Sequence, residues 1–137
     1  MAETQPLITV TIVTPSGTRE EYNVRHLRAP GSKGDFGVLP GHIPFMTTLR
    51  VGAIRLDTDQ GRYIWATSGG YAEVLGDRVT ILAETAERSD KIDIGRAKAA
   101  WERSRDRLAR READLDVDRA RAALARALNR LKIASEV

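Results

Sequence analysis

From Ile92 the chain reads IDIGRAKAAWERSRDRLARREADLDVDRARAALARALNRLKIASEV to Val137, with no proline and one glycine. Ile94, Ala97, Trp101, Ser104 and Leu108 recur at spacings of 3 and 4, and Val117, Ala120, Leu124, Leu128 and Leu131 repeat the rhythm, the period of amphipathic helices. The break between them, Arg110 to Asp118 (RREADLDVD), offers aspartates as N-cap candidates for the second helix. So short a link makes the two helices antiparallel neighbours. Each stripe is narrow, with several alanines and one serine. At about 25 cal/mol per Å² of apolar surface, small side chains stabilise the pair far less than a leucine seam. A hairpin held by marginal free energy, able to open, is the expectation.

Upstream the period changes. Leu7 to Thr14 (LITVTIVT) is followed by Pro15-Ser16-Gly17, and Ile43 to Leu49 and Val51 to Leu56 by the polar stretch Asp57 to Gly61. Tyr63 to Thr67 runs into Ser68-Gly69-Gly70, Tyr71 to Leu75 into Gly76-Asp77, and Arg78 to Glu84 closes the series. Short β-branched and aromatic runs with a turn roughly every ten residues read as an all-β sandwich or small barrel. All five prolines precede residue 45, and ten of eleven glycines lie at or before Gly76. The boundary therefore falls near residues 86 to 92. The expected architecture is a mainly β N-terminal sandwich (1–88) followed by an all-α antiparallel two-helix hairpin (89–137).

Charge divides at the same place. Residues 1 to 90 hold 9 Lys/Arg against 11 Asp/Glu, and residues 91 to 137 hold 13 against 8. The net +3 thus hides −2 in the sandwich and +5 in the hairpin. A basic hairpin suggests nucleic acid as one partner class, but eight interleaved acids and a single aromatic, Trp101, argue against a surface that tracks a backbone or stacks bases. With no cysteine there is no disulfide or thiolate site, and two histidines make a transition-metal site improbable. No apolar run reaches the roughly 18 residues of a membrane span, so membrane association is expected to be peripheral.

Within the sandwich, Gly31-Ser32-Lys33-Gly34 lacks the G-x-x-x-x-G-K-[ST] spacing of a phosphate loop and reads as a turn. Gly69-Gly70 reads as a bulge or sharp corner. Pro40-Gly41 and the glycines at 31, 34 and 37 force an irregular backbone, placing Asp35 and His42 on loops at one end of the sandwich. No serine, cysteine or second carboxylate accompanies His42 in a catalytic pattern, so its bland reading is a turn histidine satisfied by backbone. In the hairpin, Arg126 and Arg130 are four apart and share a face, and Arg103, seven after Arg96, shares the face of Arg96. Folding would bring the four together, and an anion between them would relieve their repulsion. The competing reading is a solvated face paired with Glu102, Asp106, Glu112 and Asp118.

Gly34 to Leu56, GDFGVLPGHIPFMTTLRVGAIRL, resembles the N-terminal domain of F-type ATP synthase epsilon subunits, with its Pro-Gly-His-x-Pro run. Ser68 to Leu82 (SGGYAEVLGDRVTIL), Ala86 to Ala97 (AERSDKIDIGRA) and the later ALNRLKIA are similar to further blocks of the same family, in order and spacing. The resemblance implies a non-catalytic rotor subunit of the central stalk of a proton-translocating ATP synthase. It would couple rotation to ATP synthesis and inhibit hydrolysis through its hairpin. Its partners would be the gamma subunit, the c-ring loops and the alpha and beta subunits, at the cytoplasmic face of the cell membrane. Asp35 and His42 would face the c-ring. No cofactor is implied, but ATP enters as a regulatory ligand. Ile92-Asp93-Ile94-Gly95-Arg96-Ala97 matches the family's I/L-D-x-x-R-A motif, and Arg126 and Arg130 stand at the matching second-helix positions. The implied ATP site is Glu87, Ile92, Asp93, Arg96, Ala97, Arg103, Arg126 and Arg130. Within it Asp93 would accept from the adenine amino group and Ile92 would pack on the base.

Overall fold

The computed structural model describes residues 6–136, which divide into two compact units, one running to Arg88 and one from Ser89. The first contains ten strands: β1 Ile8–Val13, β2 Arg19–Val24, β3 His26–Gly31, β4 Gly34–Val38, β5 Phe45–Leu49, β6 Gly52–Thr58, β7 Gly61–Thr67, β8 Gly70–Leu75, β9 Arg78–Ala83 and β10 Ala86–Arg88. They are ordered β10-β7-β6-β3-β5-β8-β9-β1-β2, with β4 added to β3. Strand β1 runs parallel to β9 and antiparallel to β2.

One continuous sheet becomes a sandwich because β3 serves two layers. His26 to Arg28 pair with Asp57 to Arg55 of β6, whereas Gly31 pairs with Leu49 of β5. The corner is tied by the amide of Arg50 donating to the Pro30 carbonyl at 2.9 Å and that of Ser32 to the Thr48 carbonyl at 2.9 Å. Two short links, Arg50-Val51 and Ser68-Gly69, carry the chain across again, from β5 to β6 and from β7 to β8. The expected Gly69-Gly70 corner is one of them. Alternation then fills the interior: Ile8, Val10 and Ile12 of β1, Leu27 and Ala29 of β3, Ile54 and Leu56 of β6, Ala72 and Val74 of β8, and Val79, Ile81 and Ala83 of β9 form one core.

Four strands carry no apolar alternation in the sequence. REEYNV of β2 is a charged edge strand, the composition that discourages edge-to-edge pairing. HLRAPG of β3 contains a proline because it turns the corner. Strand β4 corrects the placement of Asp35, which sits in regular pairing opposite Pro30 and not in a loop. A two-residue turn, Ser32-Lys33, closes the β3–β4 hairpin as tightly as the glycine-rich sequence allows, so pairing extends through Asp35. Strand β10 is three residues long and edges β7.

On the outer face of β6, Asp57 accepts from Arg62 Nε at 3.0 Å and stands 3.6 Å from His26 Nδ1. The Arg62 hydrogen bond, with smaller help from its charge and from His26, holds the Asp57 carboxyl below its ordinary 3.8. Its contribution is therefore present above that ordinary value and is lost as pH falls through the lowered folded value. Asp57→Asn is expected to be less stable than the parent in denaturant titrations at pH 7 and equal to it in strong acid. A difference that persisted undiminished at low pH would refute this ion pair as its source.

The second unit opens with a 3₁₀ turn, Ser89–Lys91, followed by helices α1 Ile94–Arg110 and α2 Val117–Ser135. Asp93 and Asp116 are the N-caps, each accepting through Oδ1 from the amide three residues on at 3.0 Å. Arg111, at φ 45°, ends α1 in the left-handed region and donates its amide to the Arg107 carbonyl. The helices pack on each other, and the end of α2 reaches the 3₁₀ turn, so they are antiparallel. The buried residues correct the expected stripe: Ala97 and Ser104 on α1 and Ala120, Ala127 and Ile133 on α2 are covered, while Ile94 is 57% and Leu128 40% exposed. Small residues seven apart allow close approach, and a closer seam turns the larger flanking side chains outward. Among the described residues, no helix is long and apolar enough to cross a membrane.

Candidate functional site

Two regions received site residues from the sequence, and each is treated within its own unit. In the sandwich, Asp35 is held between two cations: Oδ1 accepts from Arg50 Nη2, and Arg28 Nε stands 3.9 Å from Oδ2. His42 lies in the 39–44 loop, where its Nδ1 meets the Ile43 carbonyl at 2.8 Å and its ring lies tilted against Phe45, 5.1 Å between centroids. Phe45 in turn meets Phe36 edge to face at 5.2 Å. Because Phe36 and Asp35 are consecutive on β4, their side chains point to opposite faces. These ring contacts therefore join His42 to Phe36 through Phe45, and Asp35 belongs to a separate arginine-clamped face. Beside His42 the loop presents Leu39 and, at 78% exposure, Ile43.

In the second unit, Asp93 spends one carboxylate oxygen on its cap and keeps Oδ2 for another donor. Ile92 is covered, at 8% exposure. Ala97 is fully buried in the seam, so its methyl group packs between helices. Arg96, Arg103 and Arg126 are exposed and Arg130 is half-buried. Glu87 lies on β10 opposite Ala66, in the first unit.

Helical geometry decides how the arginines relate. At 3.6 residues per turn, Arg96 and Arg103 project on one side of Ala97 within about 20° of each other, and Arg126 and Arg130 on the corresponding side of Ala120 within about 40°. In an antiparallel pair of right-handed helices, equal offsets from the facing seam fall on the same side of the hairpin. The four arginines therefore share one face. The same arc holds Arg107, Arg110 and Arg119, which sequence reasoning passed over although their spacing (96, 103, 107 and 119, 126, 130) was visible.

The expected acidic partners are elsewhere. Glu102, Asp106 and Asp118 project to the backs of the two helices, and Glu112 lies in the connecting loop. Asp106 pairs instead with Arg105 at 3.5 Å. Among the described residues, the side chains of Arg96, Arg103 and Arg126 make no ion pair. An arginine-rich face of this kind can bind a multiply charged anion through charge-assisted, bidentate hydrogen bonds. Trp101 is half-buried with the Arg105 guanidinium 4.7 Å from its ring, so it is not an open base-stacking platform. Among the described residues there is no group of His, Cys, Asp or Glu that could hold a metal ion.

Comparison with known proteins falls on both units. Residues 7–89 match the family model "ATP synthase, Delta/Epsilon chain, beta-sandwich domain", and residues 90–135 the model "ATP synthase, Delta/Epsilon chain, long alpha-helix domain". The chain is 46% identical over 129 residues to the ATP synthase epsilon chain of Bacillus subtilis, covering 94% of this chain and 98% of that one. It is 50% identical over 129 residues to that of Syntrophobacter fumaroxidans, covering 94% and 96%. In fold it is similar to a chain of the Euglena gracilis mitochondrial ATP synthase, with a TM-score of 0.75 and 20% identity, over 99% of this chain and 85% of that one.

Proposed function

The chain belongs to the ATP synthase delta/epsilon family along both of its units, and from that premise we propose that it is a regulatory rotor subunit whose hairpin restrains ATP hydrolysis and whose arginine face senses ATP. An epsilon chain is a non-catalytic part of the ATP synthase central stalk, associated with the membrane through the complex. The finer reading assigns the partners. Tyr71 and Leu82 stand directly opposite each other on β8 and β9, and both are exposed, with Leu75 further along β8 and Met46 on the neighbouring β5. An apolar patch of this kind is what a stable subunit contact uses, and we assign it to the gamma subunit. The loop bearing Leu39, His42 and Ile43 would meet the c-ring loops, with Asp35 clamped at its side as support. On this reading the sandwich lies at the cytoplasmic face of the membrane and transmits torque in proton-driven synthesis.

The observation that carries the regulatory part is the arginine face spread over both helices. It exists only while the hairpin is folded, because each helix supplies half of it. ATP bound there would favour the folded form through its higher affinity for that form. The Asp93 Oδ2 would take the adenine amino group and the arginines the triphosphate. Ile92 and Ala97 would hold the local geometry by packing. With ATP scarce, the hairpin would extend and its basic face would meet acidic segments of the alpha and beta subunits.

The test is a reconstituted catalytic complex carrying either the full chain or residues 1–90. Truncation is expected to raise the ATP hydrolysis rate severalfold at low ATP and by less at millimolar ATP. Equal rates with the two forms at every ATP concentration would remove the inhibitory role.

A further inference from the structure

The hairpin contains its first motif twice. Ile92-Asp93-Ile94-Gly95-Arg96-Ala97 and Leu115-Asp116-Val117-Asp118-Arg119-Ala120 both read apolar-Asp-x-x-Arg-Ala, an offset of 115 − 92 = 23 residues. The same offset relates Ala100 to Ala123, Arg103 to Arg126, Arg107 to Arg130 and Leu108 to Leu131. The backbone repeats with the sequence. Asp93 has φ −79° and ψ 99°, and Asp116 has φ −80° and ψ 99°. Each carboxylate accepts from the following arginine amide at 3.0 Å. The amides of Ala97 and Ala120 reach the carbonyls of Asp93 and Asp116 at 3.0 and 3.1 Å, and both alanines are buried.

A repeat carried by two antiparallel helices is an approximate twofold axis perpendicular to the hairpin, and such an axis maps the arginine face onto itself. At 1.5 Å per residue, Arg103 and Arg126 fall level near the middle. Arg96 and Arg130 form a second rung about 8 Å toward the open end, and Arg107 and Arg119 a third about 8 Å toward the connecting loop. The first site uses the open-end and middle rungs. Its twofold image uses the middle and loop-end rungs.

We propose that the hairpin has a second nucleotide register at its loop end, with Leu115 and Asp116 on the base side and Arg103, Arg107, Arg119 and Arg126 on the triphosphate. This deepens the ATP-sensing reading and rests on it. The middle rung is common to both registers. Two ATP molecules would bring about eight negative charges onto six arginines, and their mutual repulsion in a shared site makes occupancy exclusive. One ATP therefore binds per chain, at either end of the arginine ladder.

The experiment is titration of the full chain with ATP by calorimetry, using the parent, Arg96→Gln, Arg119→Gln and the double variant. Circular dichroism checks that helix content is unchanged. Arg96→Gln is expected to keep saturable, one-to-one binding within about tenfold of the parent, and adding Arg119→Gln to remove it. In Arg96→Gln, ATP is also expected to shift the backbone amide resonances of Arg119 and Ala120. Loss of binding in Arg96→Gln alone, residual binding indifferent to Arg119→Gln, or two ATP bound per parent chain would each overturn the second register. Absence of binding by the parent would take down the ATP-sensing reading with it, so the two failures are separable.

Discussion

Gly70→Ala is expected to lower the stability of the sandwich by about 3 kcal/mol or more. Gly70 has φ +136°, a region closed to residues with a side chain, at a cost of order 1–3 kcal/mol. It also lies where β8 leaves the corner and pairs with both Leu49 and Ala83. An added Cβ would fall well inside contact distance of the Leu82 carbonyl oxygen and only 2.9 Å from Ala83 Cα. Both obstacles are backbone, so no rotamer change relieves them, and the pairing itself must shift. For a unit of this size each kcal/mol is worth about 4–8 °C, so the melting temperature should fall by roughly 12 °C or more. Thermal melts followed by Trp65, buried in the sandwich core, in a Trp101→Phe background isolate this unit. Gly76→Ala is the control: φ is +58° with nothing within 4 Å of the added atom, so only about 1–2 kcal/mol of backbone strain should appear. Equal losses at the two positions would mean that close approach at the corner contributes nothing.

Arg126→Ala is expected to weaken ATP binding about ten- to hundredfold. Arg126 stands on the middle rung, so either placement of the nucleotide loses a charge-assisted hydrogen bond, worth about 1.5–3 kcal/mol. It is exposed and makes no ion pair among the described residues, so the fold should tolerate its removal. Arg121 lies on the same helix and is also exposed but projects to the other flank. Arg121→Ala therefore removes the same charge with little change in affinity. Equal weakening by both variants would reduce the arginine face to nonspecific attraction, and a larger salt dependence for Arg126 than for Arg121 would speak for direct phosphate contact.

Much of the architecture was readable before any coordinates. The switch from a period near 2 to one near 3.6, together with the end of the prolines and the thinning of glycines, separates the sandwich from the hairpin because backbone periodicity and chain punctuation are local properties. Asp116 was within reach as a cap for the same reason. Strands β2, β3 and β10 were not, since an edge strand and a corner strand are specified by what they pair with. Their own residues are charged or proline-containing. Asp35 shows the limit from the other side: the glycines around it suggested a loop, and the partner strand made it a sheet residue.

The hairpin divides the same way. Its two helices, their order and the spacing of Arg96, Arg103, Arg126 and Arg130 are properties of the sequence alone, because a helix converts spacing into direction. Which side chains close the seam was decided only by the tertiary structure. Ala97, Ser104, Ala120 and Ala127 are small, and burying them brings the helices close enough to leave Ile94 and Leu128 outside. That choice of seam also sets the side on which every arginine falls. Packing against a neighbour is a property of two segments at once, and so is the single arginine face that the two helices build together.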